Sequence, residues 1–172
     1  MDSNAADTIT MTTNNGESFM ISASDLQRVS RHHWYIRTNE AGVPYLYSRI
    51  RGREVHLGRF LLRLRSPNRQ IDHIDFNTLD YRRENIRPVT RKQQCQHRRV
   101  RSDNVTSGFK GVSLDKHVPG GLHRWRAQLW VNNTNMLILR THSLVEAVCY
   151  ANIFSAIAFG SFACLNDVST FL

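Results

Sequence analysis

The feature that most limits what this chain can fold into is a break in its pattern. Residues 98–108, RRVRSDNVTSG, are polar, turn-prone and nearly free of side chains that build a core. Such a segment confines each hydrophobic core to one side of it, and 172 residues hold one ordinary domain or two compact ones. Two domains are therefore expected, 1–101 and 102–172, the second of them small.

Local patterning assigns elements to each side. Upstream, YLYSRI, with Tyr45, Tyr47 and Ile50, and VHLGRFLL, with Val55, Leu57, Phe60, Leu61 and Leu62, read as two strands, the second running into a short helix that Pro67 stops. In SASDLQRVSRHHWYI, Ser24 is a cap candidate for a short helix, and strand residues follow around Trp34. Downstream, 109–113 is a short strand. Residues 125–131 alternate strictly, with Trp125, Ala127, Leu129 and Val131 on one face and Arg126, Gln128 and Trp130 on the other. A turn at 132–135 leads to a third strand, 136–139. Ser143 then caps a helix with Glu146 as its capping-box partner; Leu144, Val148, Ala151, Phe154 or Ser155, and Ala158 recur at helical spacing, and Gly160 ends it. The fold class is α+β, and its C-terminal part is a three-stranded antiparallel sheet packed on one helix, leaving one sheet face for water or a partner.

Charge divides along the same line. The formal net charge is +9, and only Lys92, Lys110 and Lys116 among the 23 basic residues are lysines. Residues 1–27 carry 4 acidic groups and no basic one, residues 28–101 carry 18 basic and 6 acidic (net +12), and residues 102–172 carry 5 and 4 (net +1). A solubility device would be spread more evenly. Concentration in one half is the pattern of an electrostatic footprint on nucleic acid, and the guanidinium fork suits phosphates and base edges. The 41% hydrophobic and 22% charged content excludes a wholly disordered, collagen-like or coiled-coil chain.

Other classes are set aside by what surrounds these patterns. The apolar run from Val148 to Ala158 is interrupted by Asn152 and Ser155 and falls short of the roughly 20 residues a bilayer needs, so no membrane span or membrane partner is expected. The N-terminus, MDSNAADTIT, is acidic and polar where a secretory signal is basic and then greasy, which predicts an intracellular, non-secreted protein. Cys95, Cys149 and Cys164 are odd in number and share no ligand spacing; they read as reduced thiols, two of them buried.

The densest cluster of chemically useful residues is 71–94, IDHIDFNTLDYRRENIRPVTRKQQ. A histidine beside an aspartate in the most basic half of the chain is a candidate general base next to a candidate metal ligand. Neighbours on a strand point to opposite sides, so Asp72 and His73 share a site only where the chain twists or turns, and DFNTLD makes a turn there. Arg82, Arg83 and Arg87 are candidates for holding neighbouring phosphates. Read without any further comparison, Asp72, Asn77, Asp80 and Asn85 serve equally well to satisfy loop backbone, with His73 a packed surface histidine.

IDHIDFNTLDYRRENIRPVT resembles the core of the HNH homing endonucleases of phages and mobile introns. GFKGV, WRAQLWV and FGSFACLN resemble the AP2 DNA-binding domain that often follows that core, and together the two stretches cover about residues 45–166. The resemblance implies a ββα-metal nuclease domain, core about 45–98, and a metal-dependent endonuclease that cuts double-stranded DNA at a specific or semi-specific site, leaving 5′-phosphate and 3′-hydroxyl ends. On it, His73 is the base that deprotonates the attacking water, Asp72 gives a carboxylate oxygen to one divalent cation, Mg²⁺ with Mn²⁺ as a substitute, and Asn85 braces the loop and orients the histidine. The third site residue is Gln94 by alignment or His97, one turn on, by ligand chemistry. Phe76 stands where the family has glycine, Tyr81 where it has asparagine, Arg140 where it often has glycine and His142 where it often has phenylalanine. In the AP2-like part, Lys110, Arg126, Gln128 and Trp130 match positions that face the groove. The resemblance also points to the cytoplasm of a prokaryotic or phage-infected cell; it leaves monomer or homodimer open. The rival is a sequence-specific DNA-binding protein that keeps a degenerate HNH fold and does not cleave.

Overall fold

The computed structural model of the chain describes residues 7–100, 104, 106–115 and 124–171. The chain divides into two compact units, Met1–Arg91 and Lys92–Leu172. The expected boundary at 101/102 lies outside the described residues. The division falls earlier because the segment after Arg91 is tied to the C-terminal sheet: Lys92 donates to the Asn132 side chain at 2.6 Å, and the Lys110 ammonium donates to the carbonyls of Gln96 and Arg98 at 2.6 and 2.8 Å.

The first unit opens with a hairpin of β1 (Thr8–Thr12) and β2 (Ser18–Ser22). After one-turn helix α1 (Leu26–Val29) come β3 (Tyr35–Thr38), β4 (Pro44–Ile50), β5 (Arg53–His56) and α2 (Leu57–Leu61). Then follow β6 (Gln70–His73), β7 (Asp80–Tyr81) and β8 (Ile86–Val89). Strands β3, β4 and β5 make an antiparallel sheet, β6 pairs antiparallel with β8, and β7 adds in parallel to β2. Between these small sheets lies a core of Phe19, Ile21, Val29, Trp34, Leu46, Leu57, Leu61, Tyr81 and Ile86. Each fully buried aliphatic or aromatic side chain here contributes about 1.5–3 kcal/mol relative to exposure.

Several local readings change. No strand was expected before Trp34, yet TITMT and SFMIS pair; apart from Met20, threonine and serine fill their outward positions and made the alternation look like a polar loop. Ser24 is not a cap, because residues 23–25 form a 3-10 turn running into α1 and neither Ser22 nor Asp25 bonds the helix by its side chain. The second upstream strand stops at His56. From Leu57 the chain is helical, since burying Leu57 and Leu61 one turn apart needs the 3.6 period, and His56 caps it by accepting the Gly58 N–H at 3.1 Å. Arg63, at φ 51, turns the chain out of helical geometry before Pro67 is reached.

Helix α3 (Arg91–Gln96) crosses the division between units. The second unit continues with β9 (Val112–Asp115), β10 (Arg124–Val131), β11 (Thr134–Thr141) and α4 (Leu144–Phe159). The strands form an antiparallel sheet in the order β11-β10-β9, with α4 against it. Asn132 and Asn133, at φ 51 and 64, make the two-residue turn between β10 and β11 that suits the strands' twist. Ser143 accepts the Glu146 N–H at 3.2 Å, but the Glu146 carboxylate goes to the Thr141 hydroxyl instead of closing the capping box. The core is thin: Val112, Ala127, Ala147, Val148 and Ala151. Small residues let the backbones approach, most closely at Gly111, where a Cβ would lie 2.9 Å from the Gln128 carbonyl oxygen.

Of the expected inward face, Val148 and Ala151 are buried and Leu144 and Ser155 half-buried, so Ser155 and not Phe154 continues it, while Ala158 is exposed. Phe154 is exposed, and with Tyr150, Ile153 and Ile157 it forms an outward apolar stripe. None of the cysteines is buried: Cys95 and Cys149 are exposed and Cys164 is half-buried. The helical segment Leu144–Phe162, 19 residues with a most apolar window of mean hydropathy 1.5, is long and apolar enough to cross a membrane by length and composition. The run is longer than expected because the helix begins at Leu144, and Glu146, Asn152 and Ser155 lie within it without breaking it.

Candidate active site

Strands β6 and β8 bring Asp72 opposite Arg87 and His73 opposite Ile86, and residues 74–85 loop between them. The loop is held by its own polar side chains. Asn77 N–H donates to the Asp75 carboxylate at 2.7 Å, Leu79 N–H to the Asn77 side chain at 3.2 Å, and Arg82 N–H to the Asp80 carboxylate at 3.0 Å. Asn85 ties both ends: its side-chain oxygen accepts the Asp75 N–H at 3.0 Å, its amide donates to the Asp80 carbonyl at 3.0 Å, and its own carbonyl accepts the Ile74 N–H at 2.8 Å. Phe76 occupies the left-handed region at φ 67, the conformation that favours glycine.

His73 ends β6 and is 5% exposed. Its ring meets Tyr81 edge-on at 5.0 Å between centroids and lies 6.3 Å from Tyr45. Tyr81, wholly buried, accepts the Leu46 N–H at 3.0 Å and sits 3.5 Å from His56 Nε2. His73 Nε2 is buried and has no hydrogen-bond partner among the described residues. Burial lowers the basicity of the ring, and the carboxylates of Asp72, Asp75 and Asp80 pull it partly back. The imidazole is therefore neutral at pH 7, the form that accepts a proton.

Asp72 is buried and paired: Arg87 Nε donates to Oδ2 at 2.8 Å, with Nη2 also 2.8 Å from that oxygen. The other two arginines of the cluster are likewise held by acids. Arg82 grips both oxygens of buried Asp80 and reaches Glu84 at 2.6 Å; Arg83 forks onto both oxygens of buried Asp25 at 2.7 Å, which Arg28 also contacts at 3.2 Å. Sequence spacing does not reveal these pairings, since Asp25 and Arg83 lie far apart in the chain. Gln94 lies on α3, half-buried, and His97 follows its last turn, buried, with its N–H on the Gln93 carbonyl at 2.9 Å. Both belong to the second unit.

Among the described residues no group of three or more His, Cys, Asp or Glu side chains converges to hold a metal. Mg²⁺ is ordinarily held by one or two carboxylates together with substrate phosphates and water, so the Asp72 carboxylate, next in sequence to His73 on β6, has the chemistry for such an ion without a protein cage.

On the second unit's sheet Trp130 is 64% exposed, Gln128 accepts from the Asn135 amide at 3.3 Å, and Arg126 lies 3.9 Å from Asp115, which Arg140 also contacts at 3.2 Å. The register of β10 against β11 shifts between Ala127, opposite Leu139, and Gln128, opposite Leu137, so the extra residue, Ile138, lies in β11. Lys110 is not on the preceding strand, which begins only at Val112 after the left-handed Gly111; its N–H goes to the Asn166 side chain and its ammonium to two carbonyls.

Compared with known proteins, the chain matches no family model, no curated protein and no solved structure. The chain is mixed α and β, with several small sheets and few helices.

Proposed function

We propose that this protein is a metal-dependent DNA endonuclease with an HNH-type catalytic unit followed by an AP2-like reader. The observation that carries the reading is His73: a buried, neutral imidazole whose Nε2 lacks a partner, at the end of a strand whose next-door residue is a carboxylate. A buried nitrogen left without a hydrogen bond costs about 1–3 kcal/mol, which is sustained where a ligand supplies the bond.

On this reading His73 Nε2 takes the proton from the water that attacks the scissile phosphorus. Asn85 keeps the 74–85 loop closed around it, and Tyr81 holds the ring's plane from below. When bound, a divalent cation supplies charge stabilisation on the phosphate and relief of the leaving oxygen, and Asp72 would hold it. Arg87 neutralises the Asp72 carboxylate from the other side. That pairing is also what favours the rival, a non-cleaving DNA-binding protein, because a cation must share the carboxylate with a guanidinium.

The deciding experiment incubates purified protein with a plasmid library and Mg²⁺ or Mn²⁺ and maps new 5′-phosphate ends. His73→Ala is expected to lower the cleavage rate by about 10²–10⁴ while DNA binding stays within a few-fold, because a base acts on the chemical step. Binding without any mapped ends would leave the rival standing; equal loss of both activities would make His73 structural.

A further inference from the structure

The face of β3, β4 and β5 turned away from the core is built unlike an ordinary solvated surface. In register, Tyr35 and Arg37 of β3 stand beside Tyr47 and Tyr45 of β4, and Arg49 and Tyr47 stand beside Glu54 and His56 of β5. Period-two alternation puts all of them on one face, with Leu46 and Ser48 buried on the other. Tyr45 and Tyr47 line an open groove of about 620 Å³ that continues to Arg37 and the β3–β4 turn. Tyr45 also meets His73, so the groove and the candidate base share a wall.

The charges on this face are arranged for an anion. Glu54 is the only acidic residue on the three strands, and it is occupied by Arg37 at 2.6 Å and by the Tyr35 hydroxyl at 2.8 Å. Glu40 lies in the β3–β4 turn at the groove's rim. At the other end Arg49 of β4 and Arg51 of the β4–β5 turn are both exposed and have no side-chain partner among the described residues, and exposed Arg53 follows. These contrast with Arg82, Arg83 and Arg87, whose guanidinium groups are on carboxylates.

We infer that the outer face of β3–β5 is the surface on which the DNA strand entering the site lies, with Arg49 and Arg51 on its phosphates and the Tyr45 and Tyr47 rings against its sugars beside His73. The inference rests on the endonuclease reading for the role of His73, but the surface itself is tested without catalysis. Aromatic rings interleaved with unpaired arginines suit a nucleic-acid backbone because the rings cover sugar or base faces while the cations displace counterions from phosphate.

The test measures binding of the full-length protein to a random-sequence DNA duplex in EDTA across a salt series. The variant is Arg49→Gln/Arg51→Asn. Arg51 sits at φ 50 before Gly52 at φ 78, and Asn-Gly is the preferred pair for such a turn, so the hairpin is kept while two charges go. Affinity is expected to fall by about tenfold or more at moderate salt, and the slope of log K against log salt to drop by about two. Arg31→Gln, an exposed arginine after α1, serves as the control and is expected to change neither. Parental binding and slope in the double variant, or an equal fall in the control, overturns the surface and leaves the endonuclease reading untouched if cleavage persists. Face-dependent binding without Mg²⁺-dependent cleavage overturns the endonuclease reading and keeps the surface. A parent protein that binds no DNA overturns both.

Discussion

Phe76 holds a left-handed backbone at φ 67 that an L side chain with a Cβ adopts at a cost of roughly 1–2 kcal/mol. The cost is sustained because the turn is over-determined by Asn85, Asp75 and Asn77. Phe76→Ala keeps that strain and loses the ring, whereas Phe76→Gly loses both, so the glycine variant is expected to be the more stable of the two by about 1 kcal/mol in urea unfolding. Equal stabilities would mean that the loop relaxes. The same loop accounts for Asn85: both functions of its amide are used, one at each end of the turn, a role that the residue's spacing from His73 suggested and only the fold makes visible.

At the scale of the elements, α2 begins on a half-buried titratable group. His56 is held neutral, its pKa pushed down to about 4, chiefly by burial and then by the neighbouring His73 ring and Arg59. Because the unfolded chain takes up its proton near 6.5, the unfolded state binds more protons as pH falls from 6.5 toward 4. His56 therefore contributes fully above that window and loses about 3 kcal/mol across it. Protonation also removes the acceptor at Nδ1 that caps α2. Denaturant unfolding across this pH range should show that loss in the parent, and His56→Asn, which can still cap, should lack most of it. Arg83 belongs to this scale too. Its fork onto Asp25 joins the start of α1 to the 74–85 loop, so Arg83→Ala is expected to cost about 2 kcal/mol of stability and to change DNA affinity little. A large affinity loss at unchanged stability would return Arg83 to the phosphate contacts.

For the whole molecule, both units are basic: residues 1–91 carry 14 basic and 10 acidic side chains (net +4) and residues 92–172 carry 9 and 4 (net +5). On the endonuclease reading, salt-dependent affinity is therefore expected of both units, and base preference of the second, whose sheet exposes Trp130. Trp130, on the sheet of the second unit, is exposed and lies outside the core cluster. Trp130→Ser is expected to leave stability within about 0.5 kcal/mol, to leave binding to random duplex unchanged and to reduce the preference for the mapped cleavage site by about 1–3 kcal/mol. Competition binding with the mapped and scrambled duplexes measures this, and a uniform loss on both would move the reader off the β10 sheet.

Sequence alone determined what depends on near neighbours: the alternation of β10, the Ser143 cap, the stop at Gly160, the dense polar loop after His73 and the basic half of the chain. Each is a matter of period, capping chemistry or counting, which a few adjacent residues decide. Tertiary structure decided whatever needed two distant segments. Thr and Ser strands near the N-terminus became visible only through pairing, with β7 brought in beside β2. Which arginines are spent on carboxylates turned on Asp25 and Asp72 arriving from elsewhere in the chain or across a strand pair. Which of Phe154 and Ser155 turns inward on α4 followed from how closely Gly111, Ala147 and Ala151 let the helix approach the sheet, a steric fact that a hydrophobic period does not contain.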